Sequence, residues 1–266
     1  MKKVENIKLF VNNTEKSLKL AQIVDEKLKS NGFNIVSENY DLALAIGGDG
    51  TFLRMVKENS FNSNILYVGI NSGTLGFAQE FEINEIDLFI EKLKKSEYIY
   101  EEIGIQEITI ETQKELETFY SLNEVVVRDE ELKTVELNAY IDNGLLEEYV
   151  GDGLLISTSF GSTAYNLSFG GSIVYNTFHT LQITPVAPLN NKSYRSLINS
   201  VIIPANKEIK LIPKKKNTNL LLTIDGSNYS YSNVLSVSTT INDKVIKIIR
   251  KNDYNFIKKV NEKFLK

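Results

Sequence analysis

The apolar run Leu42–Ile46 (LALAI) passes without a break into Gly47-Gly48-Asp49-Gly50-Thr51, and this junction constrains the fold more than any other segment. A short apolar run bounded by glycines reads as a buried strand. Three similar runs flank it, Ile7–Val11, Phe33–Val36 and Ile65–Ile70. Helical segments fall between them. Asn12, Asn13 and Thr14 offer caps for a helix carrying Leu18, Ile23, Val24 and Leu28, which Asn31-Gly32 stops. Phe52–Lys57 reads as a second helix and Asn84–Lys95 as an amphipathic third. Strands alternating with helices predict parallel β-α units with helices on both faces. In such a sheet ligands bind beyond the carboxyl ends of the strands, where the glycines stand.

The pattern changes near Tyr98. Up to Ile249 the runs are β-rich: Glu107–Glu111, Phe119–Val127, Val135–Ile141, Leu154–Ser157, Val201–Ile203, Ile209–Ile212, Leu220–Ile224, Val234–Ser238 and Val245–Ile249. Asp142-Asn143-Gly144 and Asp225-Gly226 mark turns among them. Three parts are therefore expected: an α/β domain over 1–98, a mostly β domain over 99–249, and a segment 250–266, helical from Tyr254 to Leu265, that packs back on the first domain. Lys214-Lys215-Lys216 reads as a solvated loop.

Composition then limits the chemistry. The 266 residues contain no Cys, no Trp and one His, His179. Disulfides, thiol nucleophiles and thiolate or His-rich metal sites are excluded, and a hydrolase triad would rest on a single imidazole. Carboxylates, hydroxyls, amides and backbone dipoles remain. That inventory suits phosphoryl transfer, where positioning and charge stabilisation do most of the catalysis. A net charge of -4 gives no general attraction to nucleic acid or anionic lipid. No stretch approaches the roughly 18 apolar residues of a membrane helix. The opening Met1-Lys2-Lys3-Val4-Glu5-Asn6 leads into no signal-peptide core, so a cytoplasmic protein is expected.

Four segments can carry chemistry. In Gly47-Gly48-Asp49-Gly50-Thr51 the glycines let backbone N–H groups approach a phosphate, and Asp49 could hold a metal or take a proton from a hydroxyl. The alternative is a tight turn with Asp49 as a helix N-cap. The lysine of a P-loop is missing, since Thr51-Phe52-Leu53 follows, and the glycines are too compact for a dinucleotide fingerprint. Asn71-Ser72-Gly73-Thr74-Leu75-Gly76-Phe77, again after a strand, is either the second wall of a crevice beside the first loop or an ordinary connection. Asn123-Glu124 interrupts an apolar run, and is either a reader of a base edge and a ribose diol or part of a solvent-facing edge strand. From Gly151-Asp152-Gly153 through Ser157-Thr158-Ser159-Phe160-Gly161-Ser162-Thr163-Ala164-Tyr165-Asn166-Leu167-Ser168 to Gly170-Gly171, small residues and hydroxyls could wrap a polar ligand. No G-x-S-x-G occurs there, which argues against a serine nucleophile.

Taken together, these residues resemble the bacterial NAD kinases: Gly47-Gly48-Asp49-Gly50-Thr51, then Asn123-Glu124, then Gly151-Asp152-Gly153, Gly161-Ser162-Thr163-Ala164-Tyr165 and Gly170-Gly171, in order across nearly the whole chain. Pro185-Val186-Ala187-Pro188, Asn190-Asn191 and Tyr194-Arg195 continue the likeness. GGDG alone also occurs in diacylglycerol and sphingosine kinases and in phosphofructokinases; GSTAY with NE is the more specific pair. The resemblance implies an N-terminal Rossmann-like α/β domain, a C-terminal β-sandwich-like domain, and transfer of a phosphoryl group from ATP, or sometimes polyphosphate, to the 2′-hydroxyl of the adenosine ribose of NAD. It implies Mg²⁺ or another divalent cation with ATP, a homodimer or homotetramer, and a cytosolic setting. Residue by residue, it implies that Asp49 is the base. Gly47, Gly48, Gly50 and Thr51 would bind nucleotide. Asn123 and Glu124 would contact adenosine. Asp152, Ser159, Thr163, Ala164, Tyr165, Ser168 and Ala187 would line the dinucleotide site, some across a subunit interface, with Phe77 an aromatic nearby. Val150 stands where many members carry Arg, Ser159-Phe160 where Pro-Thr is usual, and Phe169 where a small residue is common. These departures bear on phosphate contacts and on the choice between NAD and NADH. The competing readings are a lipid kinase sharing the glycine loop and a dinucleotide sensor without turnover.

Overall fold

The computed structural model describes residues 3–73 and 76–265. In chain order its elements are β1 (Asn6–Val11), α1 (Glu15–Ser30), β2 (Asn34–Ile35), β3 (Leu42–Gly47), α2 (Asp49–Glu58), β4 (Leu66–Asn71), β5 (Phe81–Glu82) and α3 (Ile86–Lys95). There follow β6 (Ile99–Thr112), β7 (Leu116–Ser121), β8 (Glu124–Asp129), β9 (Val135–Ile141), β10 (Gly144–Thr158), the single turn α4 (Tyr165–Ser168) and β11 (Thr180–Pro188). Last come β12 (Val201–Pro204), β13 (Ile209–Pro213), β14 (Leu220–Ile224), β15 (Ser227–Tyr231), β16 (Val234–Arg250) and α5 (Phe256–Phe264). The chain divides into two compact units, Met1–Glu102 with Val245–Lys266, and Ile103–Lys244. Both changeovers fall inside long strands, β6 and β16. Among the described residues no helix is long and apolar enough to cross a membrane.

The first unit is a parallel α/β layer. β1 lies between β2 and β3, β4 pairs with β3, and β4 also takes β5 and Lys247–Ile248 of β16 in parallel. Every residue of β3 and β4 is buried, as a parallel sheet covered on both faces requires. Leu42, Leu44, Ile46, Val68 and Ile70 meet α1 and α3 on one face. Thr14 caps α1, its hydroxyl accepting from Ser17 N–H at 3.3 Å. The buried stripe of α1 is Leu20, Val24 and Leu28, spaced i, i+4, i+8, whereas Leu18 and Ile23 face outward. The register sets Gly47 opposite Asn71, so the two glycine-bearing connections leave the sheet side by side. Thr74 and Leu75 of the second connection lie outside the described residues.

The second unit is antiparallel. Its strands run β15-β14-β8-β10-β9-β13-β16, with β11 on β10 and β12 on β11. Alternate residues turn inward, and Val125, Val127, Leu137, Leu154, Ile156, Leu181, Leu211 and Leu222 are fully buried together. The fold class is thus a Rossmann-like α/β unit with a mostly β, sandwich-like one. Two local expectations changed. The run Phe119–Val127 is two strands, broken at Leu122-Asn123, and the separate runs Val234–Ser238 and Val245–Ile249 are one strand, because no Gly or Pro interrupts the β-branched residues between them. β11 escaped notice because it carries Pro185 and Pro188. Both lie beyond the β12 pairing, where β11 has β10 on one side only.

Candidate active site

At the carboxyl end of β3, Gly48 is the N-cap of α2 and Asp49 its first residue. The N-cap alternative for Asp49 therefore falls. Its carboxylate instead reaches the connection after β4: Oδ2 accepts from Phe77 N–H at 3.1 Å and Oδ1 from Ala78 N–H at 2.9 Å. Lys263 Nζ, from α5, donates to Oδ2 at 3.2 Å. The Asp49 side chain stays 37% exposed, so a ligand can reach it. Two glycines here are demanded by the protein itself. A Cβ at Gly76 would land on Asp49 Oδ1 and the Gln79 amide oxygen, and one at Gly47 would strike the buried Thr51 side chain. Gly48 and Gly50 differ: a Cβ at either would meet nothing within 4 Å. Among the described residues no contact requires glycine at either position, and the space is open to a ligand.

Phe77 is buried. Its ring stacks on Phe264 at 5.5 Å and tilts against Phe256 at 6.0 Å, while Lys263 Nζ lies 5.1 Å from its centroid. Below it, Arg250 is wholly buried and ion-paired with Glu80 at 3.3 Å and Glu101 at 2.8 Å. Lys259 donates to the Gln79 carbonyl. Burial, reinforced by the Arg250 charge, lowers the Lys259 ammonium to about 7.

In the second unit Asn123 and Glu124 stand at the start of β8. Asp225 accepts three consecutive N–H groups, from Leu122 at 2.8 Å, Asn123 at 2.9 Å and Glu124 at 3.2 Å. Asp225 and Gly226 both have positive φ, 44° and 79°, the signature of the two-residue hairpin turn that joins β14 to β15. From the other side, the Asn123 carbonyl accepts from Thr158 N–H at 2.8 Å, and a Cβ at Gly161 would collide with that same carbonyl. Glu124 is 6% exposed and its Oε2 has no partner among the described residues. Burial, and then the charge of Asp225, raise its carboxyl to about 8, although the Tyr165 N–H opposes the shift. A carboxyl raised this far favours the neutral acid, which can donate a hydrogen bond as well as accept one.

The hydroxyl-rich segment divides into two sets. Ser162 Oγ bridges the carbonyl and N–H of Val174, at 3.2 and 3.0 Å, and Asn166 Oδ1 accepts from Thr184 at 2.6 Å. These side chains hold the turn together. Ser159 and Thr163 are buried, Asp152 and Ser168 face solvent, and Tyr165 is 41% exposed. Ala164 ends the 3-10 turn Phe160–Thr163, its N–H bonded to the Gly161 carbonyl at 2.8 Å. Ala187, exposed at the end of β11, has φ 45°. Tyr165 meets Phe169 edge to face at 4.8 Å, and the Arg128 guanidinium lies 5.9 Å from each ring and donates to the Tyr165 hydroxyl at 3.2 Å. His179 lies beside Gly104.

Sequence reasoning missed Asp225, Arg128 and Lys263. Asp225-Gly226 was legible as a turn but not as the clamp on Asn123-Glu124. Nothing local marks Arg128 or Lys263. Among the described residues no group of three or more His, Asp or Glu side chains converges as a metal cage.

Comparison with known proteins adds the following. Residues 6–98 match the ATP-NAD kinase N-terminal domain and residues 122–245 the ATP-NAD kinase C-terminal domain. The chain is 41% identical to an NAD kinase of Finegoldia magna over 97% of each chain. It is 32% identical to NAD kinase 2 of Bacillus licheniformis over 98% of each. Among solved structures, yeast NADH kinase complexed with NADH superposes with a TM-score of 0.87 at 19% identity, covering 98% of this chain and 88% of that one. An NAD kinase from Archaeoglobus fulgidus in complex with ATP gives 0.74 at 17% identity, covering 97% and 98%.

Proposed function

The chain belongs to the NAD kinase family, and on that premise we propose how its residues divide the work of moving a phosphoryl group from ATP to the 2′-hydroxyl of the adenosine ribose of NAD. The observation that carries the proposal is the pairing of an accessible carboxylate, Asp49, with glycines at 48 and 50 whose Cβ space is empty. The triphosphate lies along Gly47-Gly48 and Gly50-Thr51, where the first turn of α2 offers N–H groups and the positive end of its dipole. Asn123 and neutral Glu124 take the adenosine half of NAD, with Asp152, Ser159, Thr163, Ala164, Tyr165, Ser168 and Ala187 around it. Phe77 supports the site from beneath, its N–H holding Asp49.

Asp49 accepts the 2′-hydroxyl proton as the ribose oxygen bonds to the γ-phosphorus and the bond from that phosphorus to the β,γ-bridging oxygen breaks, releasing ADP. The transition state of such transfers is loose, so the base acts late and need only be modest. The chain's own side chains do not build a metal cage among the described residues. A divalent cation bound with ATP would be held mainly through the triphosphate and would offset its charge.

A homodimer or homotetramer and a cytoplasmic setting belong to the same proposal. The exposed apolar residues Leu189, Leu197, Ile198 and Ile202 support self-association; light scattering measures it. Incubation with NAD, ATP and Mg²⁺, read by an NADP-specific dehydrogenase, tests the reaction. NADP formation is expected; NAD binding without turnover would leave the sensor reading.

A further inference from the structure

The glycine loop lacks a lysine of its own, yet one stands at it in space. Lys263 is 214 residues away in sequence and reaches Asp49 Oδ2 at 3.2 Å. Its stem crosses the face of Phe77, and Phe77 is clamped by Phe264 and Phe256 of the same helix, α5. The aromatic cluster therefore fixes where the ammonium sits. Two other cations of this region have their nearest recorded partners away from Asp49, although Lys259 also feels the Asp49 charge. Arg250 is held by Glu80 and Glu101, and Lys259 donates to the Gln79 carbonyl and lies 3.8 Å from Glu80.

A triphosphate bound at the loop brings several negative charges towards a carboxylate that must keep its orientation and its affinity for a proton-bearing hydroxyl. Two backbone N–H groups aim Asp49 but carry no net charge. An ammonium at 3.2 Å offsets the like-charge repulsion and completes the set of donors that holds the carboxylate. We propose that Lys263 is a positioning residue for phosphoryl transfer, supplied by the C-terminal helix, which orients Asp49 and balances its charge against the incoming triphosphate. The proposal rests on Asp49 acting as the base.

A double-mutant cycle on the full chain tests it, with NADP formation as the readout. Lys263→Met keeps the stem on Phe77 and removes the charge. Its kcat should fall on the order of 10- to 100-fold, the range for a lost hydrogen bond to a charged group. The thermal midpoint should stay within about 2 °C of the parent, since an exposed ion pair contributes little stability. Lys263→Arg should recover most of the rate. In an Asp49→Asn background the same Lys263→Met change should alter kcat by less than about 3-fold, because its partner is gone. Wild-type kcat in Lys263→Met, or an equal loss in both backgrounds, would overturn the proposal. If Asp49→Asn alone keeps full activity, the base assignment fails instead, and the two failures are told apart.

Discussion

Two carboxylates, one in each unit, are held by backbone N–H groups, and their surroundings give them opposite character. Asp49 is partly exposed, with two amide donors and an ammonium beside it. Glu124 is buried, has one oxygen without a partner among the described residues, and feels the charge of a second carboxylate, Asp225. The first is held by donors and left open to a ligand. The second is built to be neutral near pH 7. In the roles proposed above, one functional group serves as base in one place and as hydrogen-bonding reader in the other because burial and neighbouring charge differ, not because the residue type does.

After removal of the Asp49 carboxylate itself, the largest effect is expected where its geometry is disturbed without touching the carboxylate. Gly76→Ala would push a methyl group onto Asp49 Oδ1. A displacement near 1 Å at a reacting group costs about 10²-fold in rate, and kcat from the coupled assay measures it. Next comes the clamp on the other side. Asp225→Asn replaces a charged acceptor of three N–H groups by a neutral one, which should cost about 1–3 kcal/mol in urea unfolding and raise KM for NAD.

A smaller effect separates the two sites by pH. The Glu124 carboxyl is raised from 4.5 to about 8 in the folded chain, so its contribution to stability is complete below about 4.5 and is lost as pH rises to about 8. Glu124→Gln should therefore gain stability over the parent as pH climbs through that window, and its KM for NAD should not rise above pH 8 as the parent's does. The buried Lys259, lowered to about 7, works in the other direction. It favours the folded state increasingly as pH rises from about 7 to 10.5, so Lys259→Met should remove the alkaline part of the curve. The smallest effect belongs to neither site. Lys214, paired with Glu148 on the surface of the second unit, should leave the thermal midpoint and kcat essentially unchanged when mutated to Ala.

The two sites also differ in how far they could be read from the chain. The Asp49 loop was legible because a fully apolar strand ends on it and a second such strand ends beside it, and parallel register follows from that pattern. Asn123-Glu124 was legible as a polar interruption and, with GSTAY, through the family resemblance, but not as the start of a strand. The break that ends β7 and starts β8 there is set by Asp225, roughly a hundred residues on, and by the Gly161 backbone, neither of which local periodicity reveals. Lys263 is one of 30 Lys and Arg residues, and only the return of α5 to the first unit distinguishes it. Strand breaks and charge partners made by distant residues are tertiary facts. Strand alternation and glycine placement are local ones.

The contrast between the two carboxylates is tested most directly by making each an amide and measuring kcat at pH 7 under saturating NAD and ATP. Asp49→Asn should lose about 10²–10⁴-fold, the range for a general base. Glu124→Gln, which keeps a neutral hydrogen-bonding group, should stay within about 5-fold of the parent, a loss of roughly 1 kcal/mol. Equal losses in the two variants, or full activity in Asp49→Asn, would contradict the division of roles.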